Sequence, residues 1–254
     1  MSELQIEFIR MLDDFGYDVF DLKMIRETGL FSDSQITSAI WSLTKRKYLT
    51  RLEKGKYFRS SFSDDRVLAN FMAPDGGIAY WTALNSHGLT EQFANKLFIQ
   101  TAMRKKNVKD GNRNYKFIKV PKEKLFGYKT YGYGNHKYKM TDIEKTIIDC
   151  FDLPQYCGWY YETIKALNNA KLYQTKMIKY CKLMHNTSLL KRLGFLVELL
   201  KIPKMQDFVD YAHNEIDKNY SLFEIGGEKK GEYNSRWKLV LNIHRDEILE
   251  IANS

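Results

Sequence analysis

Residues 32–59, SDSQITSAIWSLTKRKYLTRLEKGKYFR, constrain this chain more than any other stretch. Ser32 is suited to an N-cap and Gln35 stands three residues on, so the two can form a capping box at the start of a helix. Ile36, Ala39, Ile40 and Leu43 recur at helical spacing and predict one buried face. Ser34, Gln35, Thr37, Ser38, Trp41, Ser42 and Lys45 fall on or near the other face. That face is small, largely uncharged and able to hydrogen-bond, which is unusual for a helix that has only to be soluble. Residues 48–53 and 56–59 read as two strands across a Lys54-Gly55 turn, where glycine relieves the positive φ of a tight hairpin. Between Lys45 and Arg59, seven basic residues (Lys45, Arg46, Lys47, Arg51, Lys54, Lys56 and Arg59) stand against one acid, Glu53.

The preceding residues supply the rest of a small domain. Residues 4–15 predict a first helix with Leu4, Phe8, Met11, Leu12 and Phe15 inward. Asp18 or Asp21 can cap a second helix carrying Leu22 and Ile25, which stops near Thr28-Gly29. Only Leu30 and Phe31 separate that stop from the Ser32 cap, and so short a turn forces the two helices to cross steeply. A polar-faced helix backed by a basic hairpin is what a winged helix-turn-helix needs. The helix enters the major groove of double-stranded DNA and the hairpin's cations neutralise phosphates. On this expectation Gln35, Thr37, Ser38 and Trp41 approach base edges, with Ser34 and Ser42 beside them. Lys45, Arg46, Arg51, Lys54 and Lys56 contact phosphates. An amphipathic helix and hairpin with a solvated basic rim is the alternative for the same stretch.

The whole chain carries a formal charge of +9, which favours an anionic partner, nucleic acid or an acidic protein. No stretch approaches the roughly 18 consecutive apolar residues of a membrane span. The start, MSELQIEFIR, lacks the pattern of a signal peptide. Three cysteines (Cys150, Cys157 and Cys181) make no even-numbered framework. A cytoplasmic setting is the expectation.

A polar run, residues 60–63, places a domain boundary between 1–62 and 63–254. Asp64 caps a helix that stops before the Pro74-Asp75-Gly76-Gly77 turn, and a further helix runs from 78 to 87. Residues 96–104 and 115–120 read as strands, 105–114 as a mobile polar loop, and 124–140 as further short strands. Residues 104–139 hold twelve basic residues against two acids, Asp110 and Glu123, interleaved with tyrosines. Stacking on a single-stranded or RNA backbone, extra DNA or acidic-partner contact, and a merely solvated sheet all remain open there. Thr141 with Glu144 reads as a second capping box. Helices follow from 142, 159, 174, 188 and 205, then a closing hairpin of 220–225 with 237–242 and a terminal helix from 244. The fold class expected is α+β: a winged helix-turn-helix followed by a larger mixed α/β domain with a short-stranded sheet and a helical bundle.

The order of these pieces resembles the AbiEi family, the antitoxin and transcriptional regulator of bacterial type IV toxin–antitoxin (abortive-infection, phage-defence) systems. The stretches AYWTALNSHGLTEQ (79–92), TDIEKTIIDCFDLPQYCGWYYETIKAL (141–167) and SLLKRLGFLVELL (188–200) carry it. Cys157-Gly158 departs from the paired glycine often found there. The resemblance implies an autorepressor that binds operator repeats through its winged domain, and a C-terminal domain that counteracts a nucleotidyltransferase-type toxin. Stand-alone relatives exist, so a winged-helix regulator or a protein-interaction module without a toxin partner is the alternative.

Nothing in the sequence points to an enzyme, a metal or a cofactor. The five histidines (His87, His136, His185, His213 and His244) are scattered, without ligand spacing. Cys150 reads as inert core, while Cys157 beside a glycine could be exposed but has no evident partner base. Glu224, Glu228 and Lys230 faintly resemble the acid-x-Lys pattern of metal-dependent nucleases but lack an earlier strand-borne acid. Glu144, Lys145, Asp149, Pro154 and Gly158 read as structural, Lys145 and Asp149 as a weak helical i,i+4 pair.

Overall fold

A computed structural model of the protein describes residues 1–111 and 113–254. Its contacts divide the chain into two compact units. One is Met1–Pro74 with Thr130–Lys139; the other is Asp75–Lys129 with Met140–Ser254. The architecture is α+β.

The first unit runs α1 (Glu3–Asp14), β1 (Val19–Asp21), α2 (Leu22–Glu27), α3 (Asp33–Lys45), β2 (Leu49–Glu53), β3 (Lys56–Arg59) and α4 (Asp65–Met72). Each of the first three helices begins at a side-chain cap. Ser2 with Gln5 and Ser32 with Gln35 form complete capping boxes, and Asp21 accepts from the Met24 amide at 2.9 Å. Asp21, not Asp18, is therefore the cap of α2. Gly29 ends that helix in the left-handed region at φ +69°, where a side chain would be strained. Phe8, Met11, Leu12, Phe20, Ile25, Ile36, Ala39, Ile40, Leu43 and Leu49 form one core. Phe15 lies outside it, 44% exposed, because it is the cap residue beyond the last turn of α1 and stacks on Tyr17 instead.

The basic hairpin has a third strand that the sequence did not announce. The sheet order is β1-β3-β2, all antiparallel, with Phe20 opposite Tyr57 and Arg51 opposite Tyr57 on the other side. A three-residue strand is too short to show alternation, and Val19-Phe20 reads simply as the approach to a cap. Residues 130–139 add to this unit. Asn135 Nδ2 donates to the Phe15 carbonyl (2.8 Å), His136 Nε2 hydrogen-bonds Asp18 (2.8 Å), and the Lys139 amide donates to Asn70 Oδ1 (2.7 Å).

The second unit holds β4 (Gly77–Ile78), α5 (Tyr80–Ser86), β5 (Leu97–Thr101), β6 (Val108–Asp110) and β7 (Arg113–Lys119). Next come β8 (Tyr128–Tyr131) and β9 (Tyr138–Thr141), whose tip is grouped with the first unit. The strands form a six-stranded mixed sheet, β6-β7-β5-β4-β9-β8. β6 lies inside the expected polar loop 105–114, paired antiparallel with β7; Asn112 of that loop is outside the described residues. Five helices follow: α6 (Ile143–Asp152), α7 (Trp159–Asn169), α8 (Gln174–Met184), α9 (Thr187–Leu199) and α10 (Gln206–Glu215). β10 (Ser221–Leu222), β11 (Glu232–Asn234), β12 (Leu239–Leu241) and α11 (Arg245–Asn253) close the chain. The expected hairpin of 220–225 with 237–242 is instead a parallel pair, β10 with β12, because the 226–231 loop leads into β11, which takes the antiparallel place.

α6 is buried on nearly every side, among α5, α7, α8 and α9. Its cap is Asp142, which accepts from the Lys145 amide (3.0 Å); Thr141 instead bonds Thr146, and Glu144 accepts from the Tyr173 amide (3.1 Å). Lys145 and Asp149 are both buried and in contact, so they are not the exposed i,i+4 pair the spacing suggests. Gln100 donates to Asp149 at 2.6 Å, and Tyr128 donates to Gln100 at 2.9 Å. Lys191, also buried, donates to Asp217 at 2.8 Å.

Replacing Asp149 by alanine should cost about 3–5 kcal/mol in urea unfolding, since it strands a buried ammonium. K145M/D149L should recover part of that loss; a D149A loss below about 1 kcal/mol would refute the buried pair. Asp217 is held down to about 2 by its hydrogen bond from Lys191, below the usual value of 3.8. A depressed carboxylate contributes stability that is present above the unfolded value and lost as pH falls through the folded one. The stability difference between the native chain and D217N should therefore shrink as pH drops from about 4 to about 2, and a pH-independent difference would exclude the ionic contribution.

Candidate nucleic-acid interface

Burial of Ile36, Ala39, Ile40 and Leu43 leaves the opposite face of α3 in solvent. Ser34, Gln35, Thr37, Ser38 and Trp41 are exposed, Trp41 by 66%. Several of their polar atoms are already engaged. Gln35 Oε1 accepts from the Ser32 amide at 2.9 Å, Ser34 Oγ bonds Ser32 Oγ at 3.0 Å, and Thr37 Oγ1 donates to the Asp33 carbonyl at 2.8 Å. Ser42 differs from the others. It is half-buried, and its Oγ accepts from Gln5 Nε2, so it ties α3 to α1.

The basic residues split into two sets. Lys56 is paired with Glu53 (2.9 Å), donates to the Phe71 carbonyl (2.7 Å) and lies over the Phe71 ring. Arg59 bridges Asp13 (2.7 Å) and Asp18 (3.3 Å). Lys45, Arg46, Lys47, Arg51 and Lys54 are exposed, and among the described residues no carboxylate forms an ion pair with any of them. Lys45 Nζ sits 5.2 Å from the Trp41 ring centroid, a cation–π contact. Asp33, at the helix start, is paired with Arg26 at 2.7 Å. The exposed surface of α3 and the hairpin is thus left cationic.

A cleft of about 520 Å³ opens beside this face. Leu22, Ile40, Trp41 and Tyr57 form its apolar lining, and Lys45 and Arg51 are its cations. Thr44, which also lines it, carries a buried hydroxyl without a hydrogen-bond partner among the described residues. No local pattern marks the cleft, because Leu22 and Tyr57 reach it from separate elements. Lys47 is a further exposed cation; its φ of +61° lies where α3 turns into β2.

Other candidate groups occupy structural positions. His87 caps the end of α5 and hydrogen-bonds the Thr141 carbonyl (2.7 Å). Cys157 is fully buried against Cys150 rather than exposed, and burial pushes both thiols up. Glu228 and Lys230 lie exposed between β10 and β11, while Glu224 is half-buried. Among the described residues, no group of three or more His, Cys, Asp or Glu side chains could hold a metal. No helix among them is long and apolar enough to cross a membrane.

The fold has a solved counterpart. The RV2827C protein from Mycobacterium tuberculosis superposes with a TM-score of 0.63 over 100% of this chain and 96% of that one, at 14% sequence identity. At that identity the likeness shows the fold alone. No family model matches the chain, and no curated protein matches its sequence.

Ser42→Ala should lower stability by about 1–3 kcal/mol, because it leaves the buried Gln5 amide unpaired while the exposed face of α3 is untouched. An unchanged urea midpoint would remove Ser42 from the scaffold.

Proposed function

We propose that this chain is a DNA-binding transcriptional regulator whose first unit works as a winged helix-turn-helix. α3 enters the major groove of double-stranded DNA and the β2–β3 hairpin serves as the wing. The observation that carries this reading is the set of five exposed cations, Lys45, Arg46, Lys47, Arg51 and Lys54, that have no carboxylate partner among the described residues and flank an uncharged helix face. Gln35, Thr37, Ser38 and Trp41 approach bases. Lys56 leaves the phosphate set, because Glu53 already neutralises it. On this reading the protein acts in the cytoplasm, without catalysis or cofactor, at operator repeats. The resemblance of 79–92, 141–167 and 188–200 to the AbiEi family extends the proposal to an antitoxin that counteracts a nucleotidyltransferase-type toxin. Co-expression with such a toxin, scored for growth rescue, tests that half.

A protein-interaction reading has its own support. Arg104, Lys106, Lys109, Lys119 and Lys122 are exposed in the second unit and suit an acidic partner.

The two readings part in a salt titration of DNA binding. R51A/K54A should reduce the slope of log affinity against log salt by about two, roughly one per lost phosphate contact. K56A should leave the slope unchanged. An unchanged slope in R51A/K54A would remove the wing from the interface, and no DNA binding by the full chain would favour the acidic partner.

A further inference from the structure

The outward face of α3 is poorly equipped for the commonest form of base readout. Bidentate recognition of guanine uses arginine or lysine, and of adenine an asparagine or glutamine offering both its oxygen and its NH2. Between Ser34 and Thr44 this face has no arginine, lysine or asparagine, Lys45 at its end lies over the Trp41 ring, and the oxygen of its one amide, Gln35, is held by the Ser32 amide. The Thr37 hydroxyl is committed to Asp33 and the Ser42 hydroxyl to Gln5. The largest group left in solvent is the Trp41 indole, which lines the 520 Å³ cleft with Leu22, Ile40 and Tyr57 and is held under Lys45. An exposed indole beside an apolar cleft, with Lys45 and Arg51 on its lining and no carboxylate ion-paired to either among the described residues, suits an apolar feature on a polyanion.

The thymine C5-methyl is the apolar feature that the major-groove edges offer. We infer that Trp41 and the cleft beside it form a thymine-methyl site, which makes Trp41 the specificity-determining residue of the interface. Lys45 and Arg51, which share the cleft, bring the adjoining backbone to it. The inference rests on α3 facing duplex DNA.

The full-length chain is used to select duplexes from a random-sequence pool. The winning duplex is then resynthesised with uracil replacing thymine at one position at a time, which deletes only the methyl. Each methyl seated against Trp41 should contribute about fourfold in affinity, so one or two positions should weaken by that factor. Trp41→Ala, on an exposed side chain, keeps the fold and should bind thymine and uracil duplexes equally. If the native chain binds the selected duplex but ignores uracil everywhere, the methyl site is refuted while DNA binding stands. If W41A keeps the thymine preference, the assignment to Trp41 is refuted. If no duplex is enriched, the DNA reading fails and takes this inference with it.

Discussion

The rotation of α3 about its own axis is the constraint on which the make-up of the exposed cationic face depends. Four apolar side chains, Ile36, Ala39, Ile40 and Leu43, are buried together with Phe8, Leu12 and Phe20 in one core. A turn of the helix by one residue, about 100°, would withdraw this stripe and push Thr37 or Trp41 inward. Each large apolar side chain brought to the surface forfeits roughly 1.5–3 kcal/mol. The capping box at Ser32 fixes where the helix begins, and Gln5 on Ser42 fixes it against α1. With beginning and rotation both set, the exposed residues have no freedom to be others.

Charge placement follows the same logic at the hairpin. β3 pairs with strands on both sides, so its cations Lys56 and Arg59 lie near carboxylates of the same unit and are neutralised there. β2 is an edge of that sheet, and Arg51 on it, like Lys54 in the turn, is exposed. At physiological salt the Debye length is about 8 Å, so exposed charges of this kind act only at close range. Position along the sheet, rather than the count of basic residues, therefore decides which of them act outward.

Much of this was legible in the sequence, and the exceptions have physical causes. Residues 32–59 carry their own start signal, period and turn glycine, so α3, β2 and β3 could be placed from local chemistry. β1 and β6 were invisible because strands of three residues show no alternation, and each is defined by the partner it pairs with. The β10–β12 pairing was misread as a hairpin because adjacency in sequence suggests an antiparallel return, while β11 occupies that place. Glu53 and Lys56 face each other across the Lys54-Gly55 turn, so that pair belongs to the hairpin itself. The bonds of Lys56 to Phe71 and of Ser42 to Gln5 instead depend on elements brought together by folding, and no pattern within α3 or the hairpin could show them.

The second unit illustrates how polar density in a sequence can serve architecture. Asp142, Glu144, Lys145 and Asp149 lie within eight residues, and all four are buried. Asp142 takes hydrogen bonds from the Lys145 amide, Lys176 and Tyr180; Glu144 takes them from the Tyr173 amide and Lys176; Asp149 takes them from Lys145 and Gln100. A helix packed on all sides cannot send such groups to water, so each must find a partner inside. The partners come from different elements: β5 through Gln100, α8 through Lys176 and Tyr180, and the 170–173 link before α8 through the Tyr173 amide. Apolar contacts are non-directional, whereas these bonds are directional and each draws α6 to a particular neighbour. The polar residues of 142–149 thus tie α6 to β5, to α8 and to the segment before α8 within the surrounding apolar core.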